Sequence, residues 1–243
     1  MNMANLIVDI GNTAVKASWS EGMTIGKTFR YQGERVSSFV CSLVEKEQPE
    51  VMVVCSAYVV SSTDRSIYEG ICRKLVILDP SYKELLKKEN LPSYLSYDRA
   101  ASVIACRHLF KSRPCTIFDL GTTLTVDFIM EDGSYEGGNI SLGCRSRIRA
   151  LNRYSRSLPI VGIPEDPQFI GTDFETSISS GVVSGIMFEL NGYLESHPCN
   201  IVAVTGGDSN YFAKRMKKPI FAICNLVLMG LALIADNYVQ ENQ

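Results

Sequence analysis

Two short stretches of this chain repeat one another, and each runs from an apolar strand into the pattern Asp-x-Gly-polar-Thr. They are residues 7–13, Ile-Val-Asp-Ile-Gly-Asn-Thr, and residues 117–123, Ile-Phe-Asp-Leu-Gly-Thr-Thr. In each, the strand ends on a carboxylate, the glycine permits a tight turn and close approach of a ligand, and amide or hydroxyl groups follow. One such turn alone is an ordinary strand-to-turn signal, but its recurrence predicts that both copies bind the phosphates of a nucleotide.

The repeat continues beyond the two turns. In both copies the turn leads into a second apolar segment and then a third: residues 14–19 and 24–31 in the first copy, and residues 124–130 and 134–140 in the second. Helical and strand patterns then alternate. We predict helices near 34–46, 63–73, 99–109, 173–195 and 226–240, and strands at 51–55, 75–79 and 201–205.

Internal duplication is therefore the best description of the architecture. We predict an α/β protein whose mixed sheets are flanked by helices, with an N-terminal half over residues 1–113 and a C-terminal half over residues 114–243. The length of 243 residues and the hydrophobic share of 46% suffice for two modest cores.

Composition argues against several classes of partner. The formal net charge of −2, without a basic stripe interleaved with aromatic residues, predicts no nucleic-acid binding. The most apolar stretch, residues 221–235, is shorter than the ~20 residues that cross a bilayer, so no membrane partner is expected. Eight scattered cysteines and no N-terminal secretion pattern predict reduced thiols and a cytoplasmic location.

Four motifs in a fixed order carry a resemblance to a known family. They are Asp9-Ile10-Gly11-Asn12-Thr13 with Lys16, the segment 119–127, Gly137-Gly138-Asn139-Ile140 with Gly143, and Thr205-Gly206-Gly207-Asp208. In this order and over nearly the whole chain, the sequence resembles type III pantothenate kinase. That family belongs to the acetate kinase, sugar kinase, Hsp70 and actin superfamily, and the resemblance implies two duplicated ribonuclease-H-like domains with a central nucleotide cleft.

The resemblance also implies roles for individual residues. The first phosphate motif supplies ATP contacts along its whole length, with Asp9 near the Mg²⁺-nucleotide. Asp119 resembles the family's ligand for a monovalent cation, K⁺ or NH₄⁺. The implied ATP-binding residues are Asp9, Ile10, Gly11, Asn12, Thr13, Ala14, Val15, Lys16, Thr122, Gly206 and Gly207.

The segment Tyr97-Asp98-Arg99 resembles the family's substrate-binding motif. There the carboxylate of Asp98 is the proposed general base, and Arg99 is the ligand for the carboxylate of pantothenate; both roles suit the chemistry. From the residues alone, Asp98 is better interpreted as the N-cap of the helix at 99–109, and Arg99 as a solvated charge of its first turn.

Departures from the family pattern lie on the substrate side, where the tyrosine usual in the pantothenate pocket also has no clear counterpart before Pro92. Ser96 stands where the family usually has glycine, Leu142 where it has proline, and Phe174 where it has a threonine that contacts pantothenate across a dimer interface. The nucleotide side is nearly intact.

The resemblance thus predicts an ATP-dependent kinase that phosphorylates the 4'-hydroxyl of pantothenate in the first step of coenzyme A synthesis, acting as a homodimer. The alternatives are a related small-molecule kinase with an altered acceptor and a non-catalytic, nucleotide-binding regulatory relative. Retention of Asp98 and Arg99 argues against the regulatory protein. The apolar face at 177–194 suits either a dimer contact or packing within the subunit.

Overall fold

The computed structural model describes residues 4–240, which form two α/β units. The elements in chain order are β1 (Asn5–Ile10), β2 (Val15–Glu21), β3 (Thr24–Ile25), β4 (Phe29–Tyr31), α1 (Val36–Leu43), β5 (Val51–Ser56), α2 (Ser62–Glu69), β6 (Lys74–Leu78), α3 (Glu84–Lys88), α4 (Tyr97–Leu109), β7 (Cys115–Leu120), β8 (Thr123–Ile129), β9 (Tyr135–Leu142), α5 (Cys144–Tyr154), α6 (Phe174–Ser196), β10 (Ile201–Thr205), α7 (Ser209–Ala213), β11 (Phe221–Ala222) and α8 (Leu226–Gln240).

The two sheets have the same topology, which confirms the duplicated architecture predicted from the sequence. In the first unit the strand order is β3-β2-β1-β5-β6, and β4 also pairs with β2. In the second unit the order is β11-β10-β7-β8-β9. In each sheet the central strand, β1 or β7, pairs antiparallel with the next strand of the chain and parallel with a later one, β5 or β10.

Strand alternation assigns the two faces of the first sheet to different helices. Val8 and Val54 pack in a core with Tyr68 of α2, whereas Asp9 and Cys55, one residue further along each strand, point to the opposite face. That opposite face is covered by α4 and α8, which contact one another as well as β5. The side chain of Asp9 therefore lies on the α4 side of the sheet.

The last helix packs with the first unit. Residues 4–109 and 225–240 cluster together, and residues 110–224 form the second unit. The sequence division at 113/114 assigned α8 to the second half, whereas the structure packs it on α4 and β1. The physical reason is close helix contact, because Gly230 of α8 lies directly against the backbone of Ala101 in α4.

The second unit has a core built between its sheet and α6. The helix begins with a capping box, in which Asp173 accepts a hydrogen bond from the Thr176 amide at 2.8 Å and the Thr176 hydroxyl accepts one from the Asp173 amide. Its apolar residues Ile186 and Leu190 are fully buried in the core of this unit. The apolar face predicted at 177–194 is thus used for packing within the subunit.

Other boundaries lie within a few residues of the sequence predictions, although the segment predicted at 24–31 is divided between β3 and β4. One small shift bears on the site. Helix α4 begins at Tyr97, so Asp98 is a residue of its first turn rather than the N-cap. Asp98 Oδ1 accepts a hydrogen bond from the backbone N–H of Arg99 at 2.8 Å. Among residues 4–240, no helix is both long and apolar enough to span a membrane.

The contact between α8 and α4 gives a stability prediction. A Cβ at Gly230 overlaps the Ala101 carbonyl group, so Gly230→Ala is expected to lower the free energy of unfolding by about 1–3 kcal/mol. The control is Gly192→Ala in α6, where the new methyl group meets nothing within 4 Å and a gain of about 0.5–1 kcal/mol is expected. Chemical denaturation of both variants measures the difference, and equal shifts contradict the packing account.

Candidate active site

The first phosphate loop connects β1 to β2. The amide of Gly11 donates to the carbonyl of Ala14 at 3.2 Å, which closes the turn and leaves Asn12 and Thr13 exposed at its tip. The hydroxyl of Tyr58, in the segment after β5, donates to Asn12 Oδ1. The loop therefore presents an amide side chain, a hydroxyl and backbone groups to solvent beside a strand-end carboxylate.

Asp9 is the strand-end carboxylate of the first unit. It is half-buried, and its register partners are Lys16 on the antiparallel neighbour and Cys55 on the parallel one. Directly opposite residues of paired strands project to the same face, so the ammonium of Lys16 belongs to the same surface as Asp9. The positive charge that the sequence suggested at this position is thus on the correct face of the sheet.

Cys55 connects Asp9 with Asp98. The thiol is 2% exposed, and burial, followed by the charges of Asp9 and then of Asp98, raises its pKa well above the usual value. Both carboxylates are therefore close enough to act electrostatically on the same buried side chain. The sequence prediction placed Asp9 and Asp98 in separate motifs, and the structure brings them together on the α4 face of the sheet.

The neighbouring residues of α4 differ in exposure. Asp98 is exposed, whereas Arg99 is 6% exposed and Tyr97 is 4% exposed. The hydroxyl of Tyr97 donates to the backbone carbonyl of Tyr82 at 2.6 Å. Of the three residues in the predicted substrate motif, Asp98 is thus the most exposed, and the hydroxyl of Tyr97 is used inside the protein.

Asp119 takes the equivalent place in the second unit. It is half-buried next to the end of β7 and has Thr125 and Thr205 as register partners. The loop that follows is closed by a hydrogen bond from the Gly121 amide to the Thr123 carbonyl at 3.0 Å. The two strand-end carboxylates therefore share strand position and neighbour pattern, whereas the turn after Asp119 is one residue shorter than the turn after Asp9.

Two further segments contact this second phosphate loop. The carbonyl of Thr122 accepts hydrogen bonds from the Gly143 amide at 3.0 Å and from the Ser146 hydroxyl at 2.6 Å. A Cβ at Gly143 overlaps the Gly121 carbonyl, so the close approach of the segment before α5 requires glycine. The end of the segment 137–143 thus packs against the second phosphate loop through Gly143.

The Gly206-Gly207 turn lies against Asp119. Gly206 has a φ of +95°, and a Cβ there comes within 2.5 Å of Asp119 Oδ1 and 2.6 Å of the Leu120 backbone. The amide of Asp208 donates to the Leu120 carbonyl at 2.9 Å. Burial raises the pKa of Asp208, while Arg145, 3.8 Å away, lowers it. The structure therefore brings Thr122, Asp119 and Gly206 together at the carboxyl ends of the adjacent inner strands β7 and β10.

Sequence reasoning missed Cys55 and Tyr82. The duplication itself holds the signal for Cys55, since this residue is the counterpart of Thr205 at the end of the adjacent parallel strand. For Tyr82 the sequence carries no such signal, because its contacts with Tyr97 and Tyr238 join positions far apart in the chain.

A family model described as type III pantothenate kinase matches residues 5–196. The chain belongs to this family. Among curated members, the type III pantothenate kinase of Phocaeicola vulgatus is 34% identical over 236 residues, covering 93% of this chain and 96% of the relative. That of Azobacteroides pseudotrichonymphae is 33% identical over 240 residues, covering 93% and 94%. The resemblance seen in the sequence is confirmed.

Solved structures show that this type III pantothenate kinase family member has the actin-like ATPase fold. The activator of 2-hydroxyisocaproyl-CoA dehydratase from Clostridium difficile, with bound ADPNP, matches with a TM-score of 0.61 at 13% identity, covering 99% of this chain and 97% of that one. A ROK hexokinase from Thermus thermophilus matches with a TM-score of 0.55 at 12% identity, covering 98% and 100%. At these identities the likeness concerns the fold, and it confirms two ribonuclease-H-like domains.

The approach of Gly206 to Asp119 can be tested by a matched pair of substitutions. Gly206→Ala places a methyl group against the Asp119 carboxylate in a left-handed backbone conformation, so a loss of about 1–3 kcal/mol in the free energy of unfolding is expected. Gly207→Ala is the control, because its Cβ meets nothing within 4 Å and its φ is not positive. Denaturant unfolding of both variants compares them, and equal stability is the result that contradicts this geometry.

Proposed function

We propose that this chain is a type III pantothenate kinase, which transfers the γ-phosphoryl group of ATP to the 4'-hydroxyl of pantothenate in the first step of coenzyme A synthesis. Membership of the family supports the reaction. The observation that carries the residue-level proposal is the position of Asp98 on the same face of the first sheet as Asp9, where both charges act on Cys55. An acceptor hydroxyl held at Asp98 is then near the phosphate loop of the first unit.

Asp98 is the proposed general base. The 4'-oxygen of pantothenate attacks the γ-phosphorus, its proton passes to the Asp98 carboxylate, and the bond from the γ-phosphorus to the β,γ-bridging oxygen breaks to release ADP. The exposed carboxylate of Asp98 meets the accessibility that this role requires. Arg99 is the proposed ligand for the substrate carboxylate, since a guanidinium binds a carboxylate through two parallel hydrogen bonds.

Both phosphate loops are proposed to bind the nucleotide, with the contacts assigned from the family motifs. Loop amides and hydroxyls around Gly11–Thr13 and at Thr122 suit phosphate oxygens, and Lys16 adds a positive charge. Mg²⁺ keeps several ligands from phosphates and water and takes one or two carboxylates from protein, so the half-buried Asp9 fits its needs. Within residues 4–240 no group of three or more His, Cys, Asp or Glu side chains is arranged to hold a metal ion. When bound, Mg²⁺ neutralises charge on the transferring phosphoryl group.

Asp119 is the proposed ligand of a monovalent cation, K⁺ or NH₄⁺. Its carboxylate oxygens are hard donors of the kind that such cations bind, and the Gly206 turn lies directly beside Oδ1. A cation here lies next to the loop that carries Thr122, so its charge supports phosphate binding without forming part of the chemical step.

The departures from the family pattern bear on the acceptor. Among residues 4–240 the non-glycine residues with positive φ are Asn90 and Ser112, so Ser96 replaces the family glycine without backbone strain. Phe174 is 67% exposed and Leu142 is 47% exposed, and both line an apolar cavity of about 750 Å³ in the second unit. The exposed phenyl ring is the observation that favours the alternative, a related kinase whose acceptor differs from pantothenate.

The same region is the proposed homodimer surface. Several large apolar side chains of the second unit are solvent-exposed, and exposed apolar patches of this kind mark interaction sites. They are Ile140, Leu142, Tyr154, Ile160, Phe169, Ile170, Phe174 and Phe188. This surface includes Phe188 of the stretch 177–194, whose other apolar side chains, such as Ile186 and Leu190, are packed in the subunit core. We also propose a cytoplasmic location, since all eight cysteines are free.

The role of Asp98 is tested by Asp98→Asn. Removal of the base is expected to lower the turnover number by about 100-fold or more while leaving ATP affinity unchanged. The measurements are phosphopantothenate formation by mass spectrometry and ATP binding by calorimetry. Glu69→Gln, an exposed carboxylate at the end of α2 on the opposite face of the sheet, serves as the control with wild-type turnover. Wild-type turnover in Asp98→Asn refutes the assignment.

The role of Asp119 is tested by cation dependence. In a Na⁺ buffer, addition of K⁺ or NH₄⁺ is expected to raise the turnover of the wild-type protein, because Asp119 resembles the family's ligand for these two ions. Asp119→Ala is expected to abolish that response. An identical response of wild type and variant to K⁺ rules out Asp119 as the cation ligand.

A further inference from the structure

Tyr97 is a buried tyrosine one residue before the proposed base. Its side chain is 4% exposed at the first position of α4, and its hydroxyl donates to the Tyr82 carbonyl at 2.6 Å. The rings of Tyr97 and Tyr82 lie 6.3 Å apart between centroids in a tilted arrangement. The first turn of α4 is therefore attached to the segment after β6 by both a hydrogen bond and aromatic packing.

The acceptor of this hydrogen bond is itself fixed. The amide of Tyr82 donates to the Asp79 carbonyl at 3.0 Å, and the Asp79 carboxylate accepts from the amides of Ser81 and Val60, each at 2.9 Å. The hydroxyls of Tyr82 and Tyr238 form a hydrogen bond of 2.9 Å, which connects this segment to α8. Tyr97 thus donates to the carbonyl of a residue that is itself fixed by hydrogen bonds to Asp79 and Tyr238.

Tyr97 also remains a donor under working conditions. Burial, with smaller effects of Tyr238, Asp79 and Cys55, raises the pKa of its hydroxyl to about 12. A protonated phenol donates one hydrogen bond, and the backbone carbonyl of Tyr82 is able only to accept it. The direction of this hydrogen bond is therefore fixed.

The orientation of Asp98 depends on how α4 is rotated about its axis. Consecutive helix residues project about 100° apart, so fixing Tyr97 on the inner side directs Asp98 outward and determines where its carboxylate lies. The first turn of a helix lacks the intrahelical hydrogen bonds that restrain later turns. In this turn the Arg99 amide donates to Asp98 Oδ1, and the Ala100 amide donates to the Ser96 carbonyl at 2.9 Å.

We propose that Tyr97 is a positioning residue, whose hydrogen bond to the Tyr82 carbonyl fixes the first turn of α4 and so aims Asp98 at the acceptor hydroxyl. This role replaces direct contact of Tyr97 with the substrate. It rests on the proposed function, because Asp98 is the group through which Tyr97 acts. Tyr82 takes part in this positioning through its backbone carbonyl, which accepts the hydrogen bond from Tyr97.

The test is Tyr97→Phe, which retains the ring and removes only the hydroxyl. Small misplacements of a catalytic group are costly, so the turnover number is expected to fall about tenfold or more, while the KM for ATP stays at the wild-type value. Tyr68→Phe is the matched control: Tyr68 is 1% exposed, its hydroxyl is 3.2 Å from that of Ser37, and it lies on the opposite face of the same sheet. The control is expected to keep wild-type turnover.

A double-mutant cycle separates positioning from general destabilisation. If Tyr97 acts through Asp98, then Tyr97→Phe is expected to have no further effect on turnover in the Asp98→Asn background. An equal fall in both backgrounds, or unchanged turnover in the single variant, overturns the proposal.

Hydrogen exchange supplies a readout that does not depend on activity. The amides of Arg99 and Ala100 are expected to exchange faster in Tyr97→Phe than in the wild type, with the rest of α4 unchanged. Unchanged exchange at these amides contradicts the positioning role. A wild-type protein that forms no phosphopantothenate refutes the proposed function instead, and the exchange result then still decides whether Tyr97 holds the turn.

Discussion

The pairing of each central strand with one antiparallel and one parallel neighbour is the constraint on which the site depends. In β1 this ladder fixes Asp9 between Lys16 and Cys55, and in β7 it fixes Asp119 between Thr125 and Thr205. Because register determines which face a side chain occupies, a shift by one residue moves either carboxylate to the wrong side of its sheet. The buried strands on both sides hold that register, and β5 is buried along its whole length.

The rest of each site is built around these fixed carboxylates. On the second sheet, the glycine at 206 lets a neighbouring turn approach Asp119, and the glycine at 143 lets another segment reach the loop at 121–122. On the first sheet, the Cys55 thiol feels the charges of both Asp9 and Asp98, and burial, followed by these charges, raises its pKa and keeps it neutral. A neutral side chain at this position allows two carboxylates to share one face without a third negative charge beside them. The two sites therefore share the same strand pairing around the carboxylate and differ in the segments that pack beside it.

The sequence predicted the parts of the fold that follow from local pattern. Strand β10 and helix α8 have the predicted bounds, and α6 begins and ends within one residue of the prediction. The short helices α3 and α7 have five residues each and too little periodicity to be recognised. The sequence also does not predict that α8 packs in the first unit, because this packing depends on the contact of Gly230 with Ala101, residues far apart in the chain.

For the site, the sequence identified the loops through their repetition, and it identified Asp98 through the family motif. The burial of Tyr97 was not predictable, because a tyrosine beside an Asp-Arg pair has no local signature that distinguishes a substrate contact from an internal hydrogen bond. Its partner Tyr82 is defined by tertiary structure alone. Long-range side-chain contacts of this kind are what a sequence pattern leaves open.

The most direct test of the account is to incubate the purified protein with ATP, Mg²⁺, K⁺ and pantothenate, and to determine the mass and phosphorylation site of the product. The account predicts pantothenate carrying one added phosphate on its 4'-oxygen, formed together with one ADP per product. ATP bound by the protein without pantothenate phosphorylation, or phosphate transferred to a different acceptor, contradicts it.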